Sequence, residues 1–481
     1  MTSHPTHRNA AGQRRKALTG AAVGVVAMLT ASLAPVSPAL AQDAPLSLIR
    51  DTEVEGILHK DADPIFRAAG IDPKAVTIYI VGNEDMNAFV SGGQNLFVFT
   101  GLIEKTKTPN QLIGVMAHET GHMAGGHLVR SDMGEKQMLA TYLLTMGLGV
   151  LAAAAGSPDA AAGLLGSSGY FAALTGAGFT RTQEASADQA AITYLEKAGE
   201  SGKGIVDFFD NFRYEEVFEN ARRYKFFQDH PISSERIAAL QVRAAQQPHY
   251  GVTDTPEAQA EHEVMVAKLK AFENLPQQTL FDYPETDASY PARYARAIAY
   301  YRDLQTDRAL RLIDALIAEQ PNNPYLWELK GQTLFESGRP AEAEPAHRRS
   351  VELKPDAPLL RVNLAQTLVA EENPQKLEQA IAELHHAVNV EPDNAFAWML
   401  MAQAYDRKGE AGMARLASAE QEFSLGQLAD AKIFAMRARK QLAKNSPEWR
   451  RATDIVLVSK PTKEDLQALA QEGSVNGPVR R

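Results

Sequence analysis

The chain has 481 residues, a formal net charge of −10, 45% hydrophobic residues and no cysteine. That length exceeds one ordinary hydrophobic core, so two or three domains are expected. The acidic balance argues against nucleic acid as a partner, and the lack of cysteine excludes a disulfide scaffold and any thiolate metal site.

At the N-terminus, Arg8, Arg14, Arg15 and Lys16 precede an apolar run from Ala17 to Leu33, followed by Pro35, Pro38 and Ala39-Leu40-Ala41. A basic start, an apolar core and an A-x-A site predict a secretory signal peptide over 1–41; the alternative is an uncleaved membrane anchor. Cleavage after Ala41 leaves a net charge of −14. With a bacterial-style signal peptide, the periplasm is the expected compartment.

Ser47 to Ala69 has Leu48, Ile49, Val54, Ile57, Leu58, Ile65 and Phe66 at near-helical spacing, which predicts a helix. Val76 to Val81 is a β-branched strand closed by Gly82-Asn83. Asn87 to Val90, Gly92-Gly93 and Leu96 to Thr100 read as a turn followed by a second strand. Such a strand ahead of the next helix is either an exposed edge, to which a peptide can add as another strand, or an ordinary core hairpin.

The next helix carries the chemistry. Leu112, Ile113, Val115 and Met116 lead into His118-Glu119-Thr120-Gly121-His122. Positions i and i+4 of a helix lie about 40° apart on one face, so both imidazoles can reach one ion. Glu119 lies beside them, where it can deprotonate a water on that ion. This H-E-x-x-H arrangement supplies two zinc ligands and the general base of a metalloprotease. A buried apolar helix has no other evident use for these groups, because burying them without partners costs several kcal/mol. His127 misses the metzincin spacing by one residue. On a continuing helix it lies about 180° from His118, so it is read as a packing or helix-end residue.

Between Lys136 and Arg181 the one charged residue is Asp159. Residues 137–180 are modestly apolar and rich in Ala and Gly, and predict two close-packed helices that cover the site or touch a membrane surface; a transmembrane hairpin is the alternative. The helix after them offers Glu184 and Asp188, four apart among alanines. Two histidines and one glutamate on zinc leave a fourth position for water, so Glu184 is assigned as third ligand. Asp188, one turn on, can accept the ring N–H of a ligating histidine and orient it. His230 follows a charged aromatic helix, Phe208 to Phe227, and Ser233 or Ser234 can cap the helix after it. The bare sequence leaves His230 open between a loop histidine and a functional one.

Residues 246–290 connect the two halves and contain one expected helix, Ala258 to Phe272. Beyond them Pro321 and Pro355 stand 34 apart, the tetratricopeptide period. Trp327, Gly331, Ala343 and Pro355 match that repeat's marker positions, and Trp398, Ala402, Tyr405 and Ala414 repeat the register. Three or four repeats are expected over 291–458, then a polar tail over 459–481. Each repeat buries its apolar face against its neighbours and leaves a concave surface for a partner. His347, His385 and His386 lack ligand spacing and are expected at the surface. The predicted fold is α+β: a mainly helical zinc metalloprotease domain with a small β-sheet over 42–245, then an all-α solenoid.

His118-Glu119-x-x-His122, Glu184-x-x-Ala187-Asp188, and His230-Pro231 followed by Arg236 resemble the HtpX-type and CAAX prenyl zinc endopeptidases. Asn87-Ala88-Phe89 and the stretch from Gly92 to Leu102 are similar to that family's edge strand. The likeness covers about residues 46–245 and implies a gluzincin-type domain with one Zn²⁺ per chain. The signal peptide and repeats resemble instead a periplasmic branch concerned with outer-membrane protein quality control. That resemblance implies unfolded or stalled outer-membrane proteins as substrates, and repeats that reach the outer-membrane assembly machinery. It also implies that His230 can approach the zinc as a reversible inhibitory ligand, that Arg236 lies near the site, and that 137–180 is a gating, membrane-facing segment. Two function classes follow: a zinc endopeptidase recruited by its repeats, and a chaperone or scaffold whose metal site is latched or silent. The intact Glu119 favours the first.

Overall fold

The computed structural model describes residues 47–126, 181–217, 226, 230, 233–371 and 373–472. The expected signal peptide, His127, Pro231 and the segment 137–180 lie outside the described residues. From Ser47 the chain departs from the expected continuous helix. Ser47–Ile49 is strand β1, and helix α1 begins only at Thr52–Ala68. Asp51 causes the break: its carboxylate accepts from the backbone N–H groups of Glu53 and Val54, at 3.0 and 2.9 Å. Such a cap fixes where a helix starts, and the apolar residues before it pair as a strand instead.

Strands β2 (Thr77–Gly82), β3 (Ala88–Ser91) and β4 (Asn95–Phe99) complete a four-stranded sheet in the order β1-β2-β4-β3. β2 and β4 are parallel, and the outer pairs are antiparallel. The stretch before Gly92, expected as part of a turn, is therefore a strand of its own. Gly92 and Gly93, at φ 59° and 95°, turn it into β4. β3 is an edge of the sheet, yet its four residues are buried.

Helices α2 (Thr100–Lys105) and α3 (Pro109–Ala124) follow, then α4 (Arg181–Ala198), α5 (Lys203–Val217) and α6 (Ser234–Ala245). Thr108 caps α3 and Pro109 opens it, as a first-turn proline can. Every residue of α3 from Pro109 to His122 is buried. One core gathers Val54, Leu58 and Phe66 of α1, Leu112 and Met116 of α3, Leu195 of α4, and Ile205 of α5.

The second half begins with α7 (Pro256–Glu273) and α8 (Pro276–Asp282). Helix pairs then run α9 (Tyr290–Arg302) with α10 (Thr306–Glu319), α11 (Pro324–Glu336) with α12 (Pro340–Leu353), and α13 (Pro358–Ala370) with α14 (Pro374–Val390). They continue with α15 (Ala395–Arg407) and α16 (Ala411–Ser424), then α17 (Leu428–Arg439) and α18 (Pro447–Val458). Three of the pairs share one contact at the register position marked by tryptophan. Trp327, Arg361 and Trp398 each donate a side-chain N–H to a proline carbonyl six residues earlier, at 2.8–2.9 Å. Among the described residues the helix pairs number five against the three or four repeats expected, and α8 is a second helix in a connection expected to hold one. Two further expectations need correction. His347 is buried, with Nδ1 2.8 Å from Thr367 Oγ1, because Gly331 leaves room for its ring between neighbouring helices. The tail contains helix α19 (Lys463–Gln471), started by a Thr462–Asp465 capping box and anchored by the buried Leu469.

The two halves are joined by a buried polar knot. Lys268 of α7 places Nζ 2.7 Å from Asp51 and 3.0 Å from Glu53, and the Tyr294 hydroxyl of α9 donates to Glu53 at 2.9 Å. Among the described residues, no helix is long and apolar enough to cross a membrane.

Candidate metal centre

Glycine sets the spacing of the two helices that carry the site. A Cβ at Gly121 would stand 2.8 Å from the Ala187 carbonyl oxygen, so only a residue without one lets α3 and α4 approach this closely. That approach brings Glu184 and Asp188 against His118 and His122. All four are buried.

His118 Nε2 lies 3.1 Å from His122 Nε2 and 3.5 Å from Glu184 Oε2, and His122 Nε2 lies 3.3 Å from Glu184 Oε1. A fourth group completes the cluster. His230 Nδ1 is 3.4 Å from His118 Nε2 and 3.0 Å from Glu184 Oε1. The four donor atoms lie within 4.8 Å of one another. Atoms held about 2.0–2.1 Å from a tetrahedral zinc stand about 3.3 Å apart, so this donor set fits the ion. Three nitrogens and a carboxylate facing one point also have little reason to converge without a cation there.

Around the cluster, His118 and Glu184 are held from behind. Asp188 Oδ1 is 3.0 Å from His118 Nδ1, on the far side of the ring from the convergence point. Arg236 binds both carboxylates, with Nη1 2.9 Å from Glu184 and Nε and Nη2 each 2.9 Å from Asp188. Burial works against charge on His118, but the hydrogen bonds its ring donates to Asp188 and Glu184 outweigh it and push its pKa up to about 10. Burial takes His122 down to about 3. Burial also opposes charge on Glu184, yet its contacts with His118, His122 and His230 hold it well below the usual carboxylate range. Glu184 and His122 are thus in the protonation states that metal ligation requires, whereas His118 holds a proton against its carboxylate neighbours that an incoming cation would displace.

The structure thus brings together every residue singled out from the sequence: His118, Glu119, His122, Glu184, Asp188, His230 and Arg236. Glu119 Oε1 lies 3.4 Å from His230 Nε2. Three residues escaped sequence reasoning. The Phe226 ring lies against the His230 imidazole with centroids 4.7 Å apart, and Phe209 meets His118 edge-on at 6.2 Å. The third is Gly121, whose role depends on α4. Phe226 stands four residues before His230, and that helical spacing was the available clue. The same residue links the site to the sheet edge, since its N–H donates to the Met86 carbonyl, just before β3, at 3.2 Å.

Residues 49–244 match peptidase family M48. This part of the chain is an M48 peptidase domain. Residues 309–420 match the tetratricopeptide domain of cytochrome c-type biogenesis protein H. The chain is 27% identical to the β-barrel assembly-enhancing protease of Yersinia pestis over 365 residues, which cover 73% of this chain and 72% of that protein. The protein of the same name from Escherichia coli (strain K12) is 26% identical over 344 residues, 68% of this chain and 66% of that one. Metalloprotease LoiP of E. coli is 30% identical over 175 residues, 36% of this chain and 64% of LoiP. With its M48 domain and these homologues, the chain is a metalloprotease.

Proposed function

We propose that the chain is a zinc-dependent endopeptidase of the periplasm that degrades misfolded or stalled outer-membrane proteins and assists their assembly. The observation that carries this reading is the convergence of the buried donors of His118, His122, Glu184 and His230 within 4.8 Å of one another, beside Glu119. Nitrogen and carboxylate donors at that spacing suit zinc among the common divalent metals. His118, His122 and Glu184 would hold the ion, and Asp188 would fix the His118 ring through its Nδ1–H. A zinc bound there would supply a Lewis acid for the scissile carbonyl and would lower the pKa of a water. Glu119 takes the proton from that water and passes it to the leaving amine. The names of the relatives support β-barrel outer-membrane proteins as clients, and the expected signal peptide supports the periplasm. The repeats would recruit the clients or the assembly machinery.

A second reading is favoured by one observation. His230 Nδ1 stands 3.4 Å from His118 Nε2 and 3.0 Å from Glu184 Oε1, close enough that it would compete with a water for a bound ion. An imidazole held in that position would latch the enzyme, and a chain that stayed latched would act as a chaperone or scaffold. Cleavage of an unfolded model protein by wild type, His230→Ala and Glu119→Gln, measured side by side, separates the readings. Glu119→Gln should lose activity, because an amide cannot take the proton, and His230→Ala should exceed wild type. Unchanged cleavage in Glu119→Gln would remove Glu119 as the base. Activity in His230→Ala as low as in Glu119→Gln would make His230 a participant in catalysis rather than a latch.

A further inference from the structure

Three large apolar side chains stand in solvent where the linker meets the first repeat. Leu275, just before α8, is 73% exposed, Phe281 on α8 is 79% exposed, and Leu304 in the α9–α10 turn is 88% exposed. Hydrogen bonds hold the segments that carry them beside one another. Gln277 donates to Asp303 at 3.2 Å, and Gln277 shares a face of α8 with Phe281 at i,i+4 spacing. Arg302, two residues before Leu304, donates to the carbonyl of Asn274, the neighbour of Leu275.

Single exposed apolar residues are ordinary on protein surfaces. Leu304 has a further property. Its φ is 57°, in the left-handed region that a leucine enters only against steric strain. The repeats show what fits there without strain. Gly338, one repeat period later, fills the α11–α12 turn at φ 75°, and Gly409 fills the α15–α16 turn at φ 77°. The three turns match in detail: Leu304, Gly338 and Gly409 each donate an N–H to the carbonyl three residues back, on Tyr301, Phe335 and Asp406. A leucine at a glycine position, with its side chain in water, disfavours the fold and adds nothing to the core. Its use lies outside the chain.

The surrounding charge narrows what it meets. Asp282 follows Phe281, and Asp303 and Asp307 flank Leu304. The nearby cations are engaged, Arg308 with Glu285 at 3.3 Å and Arg302 with the carbonyls of Ala271 and Asn274. A negative rim opposes an anionic membrane surface and a second copy of itself, and complements a cationic one.

We propose that Leu275, Phe281 and Leu304 form a docking knob for a partner protein that presents an apolar face edged by lysine or arginine side chains. The test uses the full chain and a labelled amphipathic helical peptide of about 18 residues, with a leucine stripe edged by lysines. A twin peptide carries glutamates at the edges. Fluorescence anisotropy should show saturable binding of the lysine peptide to wild type and weaker binding of the twin. Its dissociation constant should rise about tenfold in Leu304→Gly and further in Phe281→Ser/Leu304→Gly. The thermal midpoint of Leu304→Gly should equal or exceed that of wild type, because the strain is gone. Equal affinity of wild type and the double variant, or no saturable binding to wild type, overturns the proposal. A lowered midpoint in Leu304→Gly does so too, by making Leu304 a structural residue. Binding to phosphatidylglycerol vesicles, or dimerisation in sedimentation, that is lost in Leu304→Gly would assign the knob to a membrane or a second copy and overturn it as well.

Discussion

Arg236 compensates two buried carboxylates that stand side by side, Glu184 and Asp188, and its own side chain is 12% exposed. Removing one partner of such a buried pair typically costs about 3–5 kcal/mol, because the remaining charge is left unpaired. Arg236→Gln should therefore lower the unfolding midpoint and weaken zinc retention, both read on the purified variant. Arg236→Lys should fall between, since an ammonium keeps the charge but cannot reproduce the fork to Asp188. A variant as stable and metal-rich as wild type would make Arg236 a bystander. At this scale the sequence was legible where helical spacing holds the residues. His118, Glu119 and His122 follow from one turn of helix, and Glu184 and Asp188 from the next alanine-rich one. His230 and Arg236 lie outside any such period, and only family likeness pointed to them. His347 was misplaced although it shares a helix face with the buried Ala343, Ala346 and Ser350; the register held the clue, but the residue type argued for the surface.

Among the elements, the packing of α3 on α4 decides whether the donors meet at all. Gly121→Ala places a methyl 2.8 Å from the Ala187 carbonyl oxygen. Overpacking of this kind costs about 1–3 kcal/mol, and relief by separating the helices would draw Glu184 away from the histidines. The variant should fold with a lowered midpoint and bind zinc more weakly than wild type. Full metal affinity in Gly121→Ala would mean that α4 can shift without moving its ligands. The periodic elements were readable because burial imposes their period. The short ones were not: three residues at Ser47–Ile49 carry too little pattern to separate a strand from the start of a helix. A capping aspartate at position 51 was the decisive and overlooked signal. Likewise α19 hides in a polar segment because it needs to bury only Leu469.

Across the whole molecule, protease and repeats meet at the polar knot around Lys268, whose side chain is 5% exposed. Lys268→Met should strand Asp51 and Glu53 and cost about 3–5 kcal/mol, read as a fall in the unfolding midpoint. Truncation after residue 245 removes Lys268 and Tyr294 together and should weaken the protease half in the same way. Near this knot, burial pushes the Glu328 carboxyl up to about 8, although Lys268 pulls the other way. The folded state then binds more protons than the unfolded state between about 4.5 and 8, so this group's contribution to stability falls as pH rises through that window. Glu328→Gln should consequently have a higher unfolding midpoint than wild type at pH 8, with the difference shrinking toward pH 5. A difference that grows toward pH 5 would reverse the sign and reject the burial of that carboxyl.

The metal centre carries the central claim, and zinc content tests it most directly. Elemental analysis of purified full-length wild type and Glu184→Ala should find about one zinc per chain in wild type and little in the variant. Full stoichiometry in Glu184→Ala, or a wild type without zinc after growth and purification with the metal supplied, would contradict the account.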